Sequence, residues 1–466
     1  MEIPIEVLHR IFKEGLLKKD LYSCSLVKRT WSLVALKILW SKSMKPADTI
    51  HTLISCLSQQ AKDDLVEKGI RFEHWIKVGS SIDYPSFMDK LEYSTLLKFV
   101  NVLLTKQINQ EQQKKSLTYH LMEYLCKLLM NRCVNLTNLE FSSCVIQEIF
   151  IIPFYHFPGA NCRLVNITTM TLDCLLSYCD EFFYALSGIC KQIKILNLSH
   201  LKENKALTYF IESLAYLEEL LIEYSDVQFP TNSSSEKLKN RASFLKCLAI
   251  YDSSVSTDFL AQCINLKKLI VSGNNFFQNS TNVGLNRLRL DNLEKISIKE
   301  VSNEHMTKIK KLLVHTLKSV SLKIDSGHSS ELTKVIVQNY TNLVYFNGIF
   351  DDSLTFLLPT FVQNCPFLEI FKIYTDDNLS NIDISDELIR LGNIIPGNLK
   401  KVHLKRNWVY DTNSLNYFME KCFKKLKGPF AFKINIMKLV NLQNNFGKRI
   451  VFKIYHKNFI YVELLC

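Results

Sequence analysis

The feature that most limits what this chain can fold into is an apolar triplet at positions x, x+3 and x+5 that recurs through its middle and C-terminal parts. It reads Leu136/Leu139/Phe141, Ile193/Leu196/Leu198, Leu217/Leu220/Ile222, Leu245/Leu248/Ile250, Leu266/Leu269/Val271, Leu293/Ile296/Ile298, Leu317/Val320/Leu322, Leu343/Phe346, Leu368/Phe371/Ile373 and Leu399/Val402/Leu404, with a weaker copy at Leu164/Ile167/Thr169. From Ile193 onward the first positions step by 24, 28, 21, 27, 24, 26, 25 and 31 residues. Alternation over x+3 and x+5 is the pattern of a short strand with one buried face, entered through a turn whose leucine also points inward. Between triplets, Asn204–Leu214, Thr257–Cys263, Ser329–Asn339 and Leu354–Asn364 carry apolar residues at three-to-four spacing, and several begin with a capping Ser, Thr or Asn, which predicts a returning helix. A unit of this size cannot bury its own apolar face, so neighbours must stack.

Cys133, Cys190, Cys263 and Cys365 each stand three residues before a first triplet position. No Cys-x-x-Cys occurs and their spacing suits no metal, so they are read as small buried residues where helix hands over to strand. Strand, turn, helix and cysteine together resemble the leucine-rich-repeat family, in the irregular cysteine-bearing form that accompanies F-boxes, over residues 131–434. The resemblance implies an α/β solenoid with a curved parallel sheet whose inner face is a protein-binding surface rather than a substrate pocket. Positions between the triplet residues should face that sheet. They offer Glu218, Glu219 and Glu223 early and Lys267, Lys268, Lys295, Lys318, Lys323, Lys372, Lys400, Lys401 and Lys405 later, as partner contacts or as charges that only solvate a strand.

The first 45 residues contain 21 large apolar or aromatic side chains, more than three short helices can bury among themselves, so a neighbouring domain or a partner must cover part of them. Pro4 suits a first helical position ahead of Leu8, Ile11 and Phe12; Asp20 is placed to cap a second helix and Thr30 a third that runs to Trp40. The order and spacing of Ile3-Pro4-x-Glu6-Val7-Leu8-x-x-Ile11-Phe12, Asp20-Leu21-x-x-Cys24-Ser25-Leu26-Val27-Lys28-Arg29-x-Trp31 and Leu39-Trp40 resemble an F-box. That resemblance implies docking to the Skp-type adaptor of a cullin–RING ubiquitin ligase through Pro4, Ile5, Leu8, Ile11, Phe12, Leu26 and Val27, around a core anchored by Trp31, Leu39 and Trp40. Many F-boxes have residues ahead of this pair, whereas here the sequence starts two residues before Ile3, which is expected to weaken docking or to mark a shortened N-terminus.

Residues 46–130 read as a helical spacer, with helices over 49–57, 63–68, 87–104 and 117–130, an extended piece over 71–78 and a linker at 106–116. Its stretch Ile82-Asp83-Tyr84-Pro85-Ser86-Phe87 is similar to one in fungal F-box/leucine-rich-repeat proteins. Residues 231–243 and 273–286 read as polar loops between rungs, and 435–466 as a C-terminal cap.

The net charge of +12 is local: residues 400–466 hold 14 basic and 3 acidic residues. Lys421, Lys424, Lys425 and Lys427 stand there among Trp408, Tyr410 and Phe423, a composition compatible with nucleic acid, phosphate or an acidic protein, or with a solvated end cap. Phosphate-cradling glycine loops, nucleophile elbows and paired metal ligands are absent from the sequence. Asp376-x-Asn378-x-Ser380 with Glu387 is faintly like a calcium loop but lacks the central glycine, and is read as a solvated acidic loop. No cofactor and no metal are expected. Two acids in the first six residues argue against a secretory signal, and no run is long and apolar enough to span a membrane, which points to the cytoplasm or nucleus.

Taken with the resemblance, these features imply a non-catalytic substrate-recognition subunit of a Skp–cullin–F-box ligase, monomeric within the complex, with the adaptor, through it the cullin, and a protein substrate as partners and nucleic acid not expected. The alternative is a repeat scaffold that holds nucleic acid or an acidic protein at its basic C-terminal end.

Overall fold

The computed structural model describes residues 3–41, 46–72, 82–141, 152–173, 180–201, 205–224, 242–255, 257–280, 282–323, 329–350, 352–375, 382–405, 408–426, 430–435, 450–454 and 459–464. They form two compact units, residues 1–220 with 225–227, and 221–224 with 228–466.

The first unit opens with three helices, α1 (Ile5–Gly15), α2 (Lys18–Ser25) and α3 (Arg29–Ser41). Leu8 and Phe12 of α1, Leu21 of α2, and Val34, Ala35, Ile38 and Leu39 of α3 close on one another as a small core. Three helix starts differ from expectation. Pro4 stands just outside α1, its carbonyl accepting the Leu8 N–H at 3.0 Å. Asp20 lies inside α2, where its carboxylate accepts the Leu17 N–H at 3.2 Å, half of a capping box run from Leu17. Thr30 likewise sits within the first turn of α3 rather than ahead of it.

The spacer folds as α4 (Pro46–Ser55), α5 (Gln59–Glu67), α6 (Tyr93–Thr105) and α7 (Glu111–Arg132), so α7 absorbs much of the expected linker. The single helix expected over 87–104 is instead a short 3₁₀ turn, Tyr84–Phe87, the strand β1 (Lys90–Glu92) and then α6. β1 pairs in parallel with β2 (Asn138–Phe141), which pairs with β3 (Thr169–Leu172) and that with β4 (Ile195–Ser199), bringing Leu91, Leu139, Met170 and Leu196 into one buried row. The rung read as Leu164/Ile167/Thr169 is therefore Ile167/Met170/Leu172, three residues later, and Leu164 fills the helix-end place that cysteines take elsewhere. The strand β5 (Glu219–Glu223) follows.

In the second unit, β6 (Cys247–Tyr251), β7 (Lys268–Ser272), β8 (Lys295–Lys299), β9 (Ser319–Lys323), β10 (Tyr345–Ile349) and β11 (Ile370–Tyr374) run parallel in sequence order. β12 (Ile382–Asp383) leaves the sheet to pair with β14 (Trp408–Val409), while β13 (Lys401–Lys405) continues from β11 to β15 (Phe430–Asn435). β16 (Ile450–Ile454) and β17 (Phe459–Leu464) end the sheet: β17 pairs antiparallel with β15, and β16 antiparallel with β17. The register stacks Leu248, Leu269, Ile296, Val320, Phe346, Phe371, Val402 and Phe432, all buried, each worth roughly 1.5–3 kcal/mol of apolar burial. Helices Thr257–Gln262, Ser329–Asn339 and Leu358–Asn364 return the chain as the sequence predicts. Residues 273–286 are not the expected polar loop: helices Asn275–Asn279 and Asn282–Asn286 bury Phe276, Phe277 and Leu285, three apolar groups inside an asparagine-rich stretch. Most of residues 71–78 and 231–243 lies outside the described residues.

Each strand end must turn sharply into the next segment, and five rungs do so through a left-handed residue: His200, Tyr224, Asp252, Gly273 and Glu300. At Gly273, φ is +82° and an added Cβ would fall 1.6 Å from Asp252 Oδ1. We predict that Gly273→Ala destabilises the second unit by about 1–3 kcal/mol. Gly188→Ala, at a helical position with nothing within 4 Å, should be neutral or slightly stabilising. Urea unfolding midpoints of the two variants, which should move in opposite directions or at least differ clearly, check this.

Candidate functional site

The three N-terminal helices divide the residues named from sequence into two sets. Leu8 and Phe12 are inside the core, and the Phe12 ring meets Trp31 edge-on at 5.4 Å, so neither can be reached by a partner without opening the helices. Pro4, Ile5, Ile11, Leu26 and Val27 are exposed, Ile5 at 58%, Val27 at 61% and Leu26 at 87%. Ile3 and Val7, which the motif names without a docking role, and Leu17 and Leu33, which lie outside it, are exposed as well. Of the expected core anchors, Leu39 is buried and Trp31 half-buried against the helical core. Trp40 is buried elsewhere: its ring lies tilted at 5.4 Å from that of Tyr84 in the spacer, because the end of α3 meets the 3₁₀ turn.

The open face of the second unit's sheet carries the residues that alternate with the buried rows. Lys268 and Lys295 are adjacent across β7 and β8, and Lys372 and Lys401 stand on β11 and β13. Lys372 is half-buried, its Nζ 3.2 Å from Tyr345 Oη and 4.9 Å from the ring centroid, so its charge is partly spent on the neighbouring strand. Lys267, Lys318 and Lys400 stand one residue before their strands, on the turn edge. There Lys318 pairs with Glu294 at 3.3 Å and Lys400 with Glu369 at 2.9 Å, which neutralises much of the positive character expected of that row. Glu294, Lys318 and Glu369 border an open groove of about 590 Å³ that also takes in Asn292, Thr316, Asn342 and Phe367. Glu218 and Glu219 belong to the first unit and Glu223 to the second. Glu219 is exposed and the other two are half-buried. The Lys405 side chain lies outside the described residues, as do 376–381 of the acidic loop.

The triplets alone do not reveal a second column. The residue just before the first triplet position bonds back to the preceding rung: Asn135 Nδ2 donates to Ser86 O at 2.7 Å, Asn265 to Ser243 O at 2.8 Å, Asn292 to Ile264 O at 3.0 Å, and Thr316 Oγ1 to Leu293 O at 2.8 Å. Its signal is an Asn or Thr at x−1, visible once the triplets are aligned. It satisfies turn carbonyls and has no chemistry of its own.

At the basic end, Trp408 and Tyr410 are buried, which removes two of the three rings that could have stacked on bases. Lys424 pairs with Glu420 at 2.5 Å, Lys425 donates to the Asn393 carbonyl, and Lys421 lies 5.0 Å over the Tyr417 ring. Two more basic residues of this end, Arg406 and Lys427, lie outside the described residues. Among the described residues no group of three or more His, Cys, Asp or Glu side chains converges as a metal site, and no helix is long and apolar enough to cross a membrane.

Parallel strand, turn and returning helix, with apolar x, x+3 and x+5 positions stacked from rung to rung, define a leucine-rich-repeat layout. No protein-family model matches the chain, and no curated protein matches it. Among solved structures, a leucine-rich-repeat protein of Leptospira interrogans is similar at 13% identity with a TM-score of 0.34, over 62% of this chain and 77% of that one.

The hand-over cysteines are buried, and burial pushes the thiols of Cys133, Cys190, Cys263 and Cys365 up to about 12. Cys133 donates to Met88 O at 3.1 Å and Cys365 to Tyr340 O at 3.2 Å, as small core groups would. A thiol of that kind carries almost no thiolate near pH 8. Brief maleimide labelling of the folded chain, mapped by mass spectrometry, should modify exposed Cys162 at least about tenfold faster than these four, and the difference should vanish in denaturant.

Proposed function

We propose that the chain is the non-catalytic substrate-recognition subunit of a Skp–cullin–F-box E3 ubiquitin ligase, with residues 1–45 as the F-box, 46–130 as the spacer, 131–434 as the repeats and 435–466 as the end cap. The observation that carries this reading is the apolar surface left open on the N-terminal helices. Ile3, Ile5, Val7, Ile11, Leu17, Leu26, Val27 and Leu33 are all exposed around a core that is already complete with other side chains. A single exposed leucine is ordinary, but a cluster of such residues on so short a piece is the mark of a surface that a partner covers. The adaptor of the ligase, and through it the cullin, is that partner in this reading, and a protein target lies on the repeats. Ubiquitin transfer would then follow from proximity, since holding the target beside another enzyme's thioester replaces a bimolecular encounter with a local one. The working compartment is the cytoplasm or nucleus, where that machinery acts. The basic C-terminal end is the weaker site, because Trp408 and Tyr410 are buried and Lys424 is paired with Glu420.

Co-purification with a Skp-type adaptor tests the assignment in the full-length chain. Ile5→Asp with Ile11→Asp, and separately Leu26→Asp with Val27→Asp, change exposed groups only and should abolish capture of the adaptor while the thermal midpoint stays within about 2 °C. Removing residues 1–44 should have the same effect on capture. Adaptor binding that survives all three variants would refute the docking surface.

A further inference from the structure

On the second unit's sheet some lysines are met by acids on neighbouring rungs and others are not. At the edge, Lys318 is paired with Glu294 and Lys400 with Glu369; at the far end of the strands, Lys323 is paired with Glu300 at 3.3 Å. Lys267, Lys268, Lys295 and Lys299 have no ion pair among the described residues, and the neighbouring acids Glu294 and Glu300 are already paired with Lys318 and Lys323. Lys268 and Lys295 are register neighbours, as are Lys299 and Lys323, so like charges are carried on adjacent strands about 4.8 Å apart twice over. Lys295 and Lys299 lie four residues apart on one strand, about 13 Å. Like charges side by side on adjacent strands repel, and among the described residues no acid relieves Lys268 and Lys295. Between the lysines lie Ser297, Ser319 and Ser321, half-buried hydroxyls on the same face.

We propose that the β7–β9 face is the place where the repeats grip their protein target, and that the target presents an acidic segment, rich in Asp and Glu, to Lys267, Lys268, Lys295 and Lys299. This rests on the reading of the repeats as the target-holding part of the receptor and names the chemistry of what is held. Charge complementarity selects the occupant. Four lysines within about 5 by 17 Å suit several carboxylates on one extended peptide. No aromatic ring stands on β7, β8 or β9, Tyr251 and Tyr345 lying on the flanking β6 and β10, and the patch is too short to follow a nucleic-acid backbone.

The test uses the full-length chain with a Skp-type adaptor present, and a fluorescein-labelled peptide of alternating Glu and Asp read by anisotropy. Wild-type chain should bind the peptide at about 50 mM salt and lose most of that affinity at about 300 mM. Lys268→Glu with Lys295→Glu should weaken it about tenfold or more. Lys267→Gln with Lys299→Gln, which removes charge from the face and its turn edge without reversing it, should weaken it about threefold or more. Lys310→Glu, on a helix and paired with Glu331, should stay within about twofold of wild type. Adaptor capture is scored in the same samples. Loss of peptide binding in the patch variants with adaptor retained supports the proposal. A wild-type chain that holds the adaptor and ignores the peptide overturns it alone, and so does equal affinity for a uridine oligonucleotide of matched charge. Peptide binding by a chain that never captures the adaptor overturns the ligase reading and leaves this surface standing.

Discussion

The structure depends on one repeated hand-over at the entrance to each strand. The carbonyl of the residue before a strand accepts two N–H groups from the next rung: Lys246 O takes Lys267 and Lys268, Lys267 O takes Glu294 and Lys295, Glu294 O takes Lys318 and Ser319, and Lys318 O takes Val344 and Tyr345. The same double acceptance runs from Asp89 through Thr137 and Thr168 to Lys194 in the first unit. Each rung is thereby fixed in register before its strand begins. A slip of one residue would turn the x+3 and x+5 side chains to the open face, so this turn decides which groups are core and which are displayed. The lysine face of β7–β9 is therefore a consequence of the register that buries Leu269, Ile296 and Val320.

Legibility in the sequence follows the strength of that constraint. Where all three triplet positions are large and apolar, as at Leu266/Leu269/Val271, strand and register are plain. At Ile167/Met170/Leu172 a nearby Leu164 offers a competing frame, and composition alone cannot choose between a helix-end residue and a triplet residue. β1 is hidden because its rung, Met88/Leu91/Tyr93, merges with the apolar face of α6, and three residues of strand give no alternation to read. The buried Phe276 and Phe277 are masked by the asparagines around them, which propensity assigns to loops while packing assigns the phenylalanines to the core.

Side-chain roles are less legible than elements, for a related reason. A motif records which residue types recur, without separating those that make a surface from those that shape it. Leu8, Phe12 and Ile11 are equivalent in the motif, yet 3.6-residue periodicity sends the first two inward and leaves the third out. Lysines counted along the repeats are likewise alike in sequence, while the structure shows Lys318 and Lys400 bound to acids on adjacent rungs and Lys268 and Lys295 without them. Ion pairing across rungs needs residues 24 or 31 positions apart, as with Glu294 and Lys318 or Glu369 and Lys400, and only register brings them together.

The chain carries two surfaces that differ in chemistry. The N-terminal helices display branched and aliphatic groups, whose contribution to binding grows with area removed from water and is little affected by salt. The β7–β9 face displays point charges, which raise encounter rates and specificity more than raw affinity and are screened within about 8–10 Å at ordinary ionic strength. A receptor assembled this way would hold one partner persistently and sample another rapidly. Its persistent contact would reside where a complete core underlies exposed Leu26 and Val27, and its exchangeable one where Lys268 and Lys295 stand on a rigid parallel sheet.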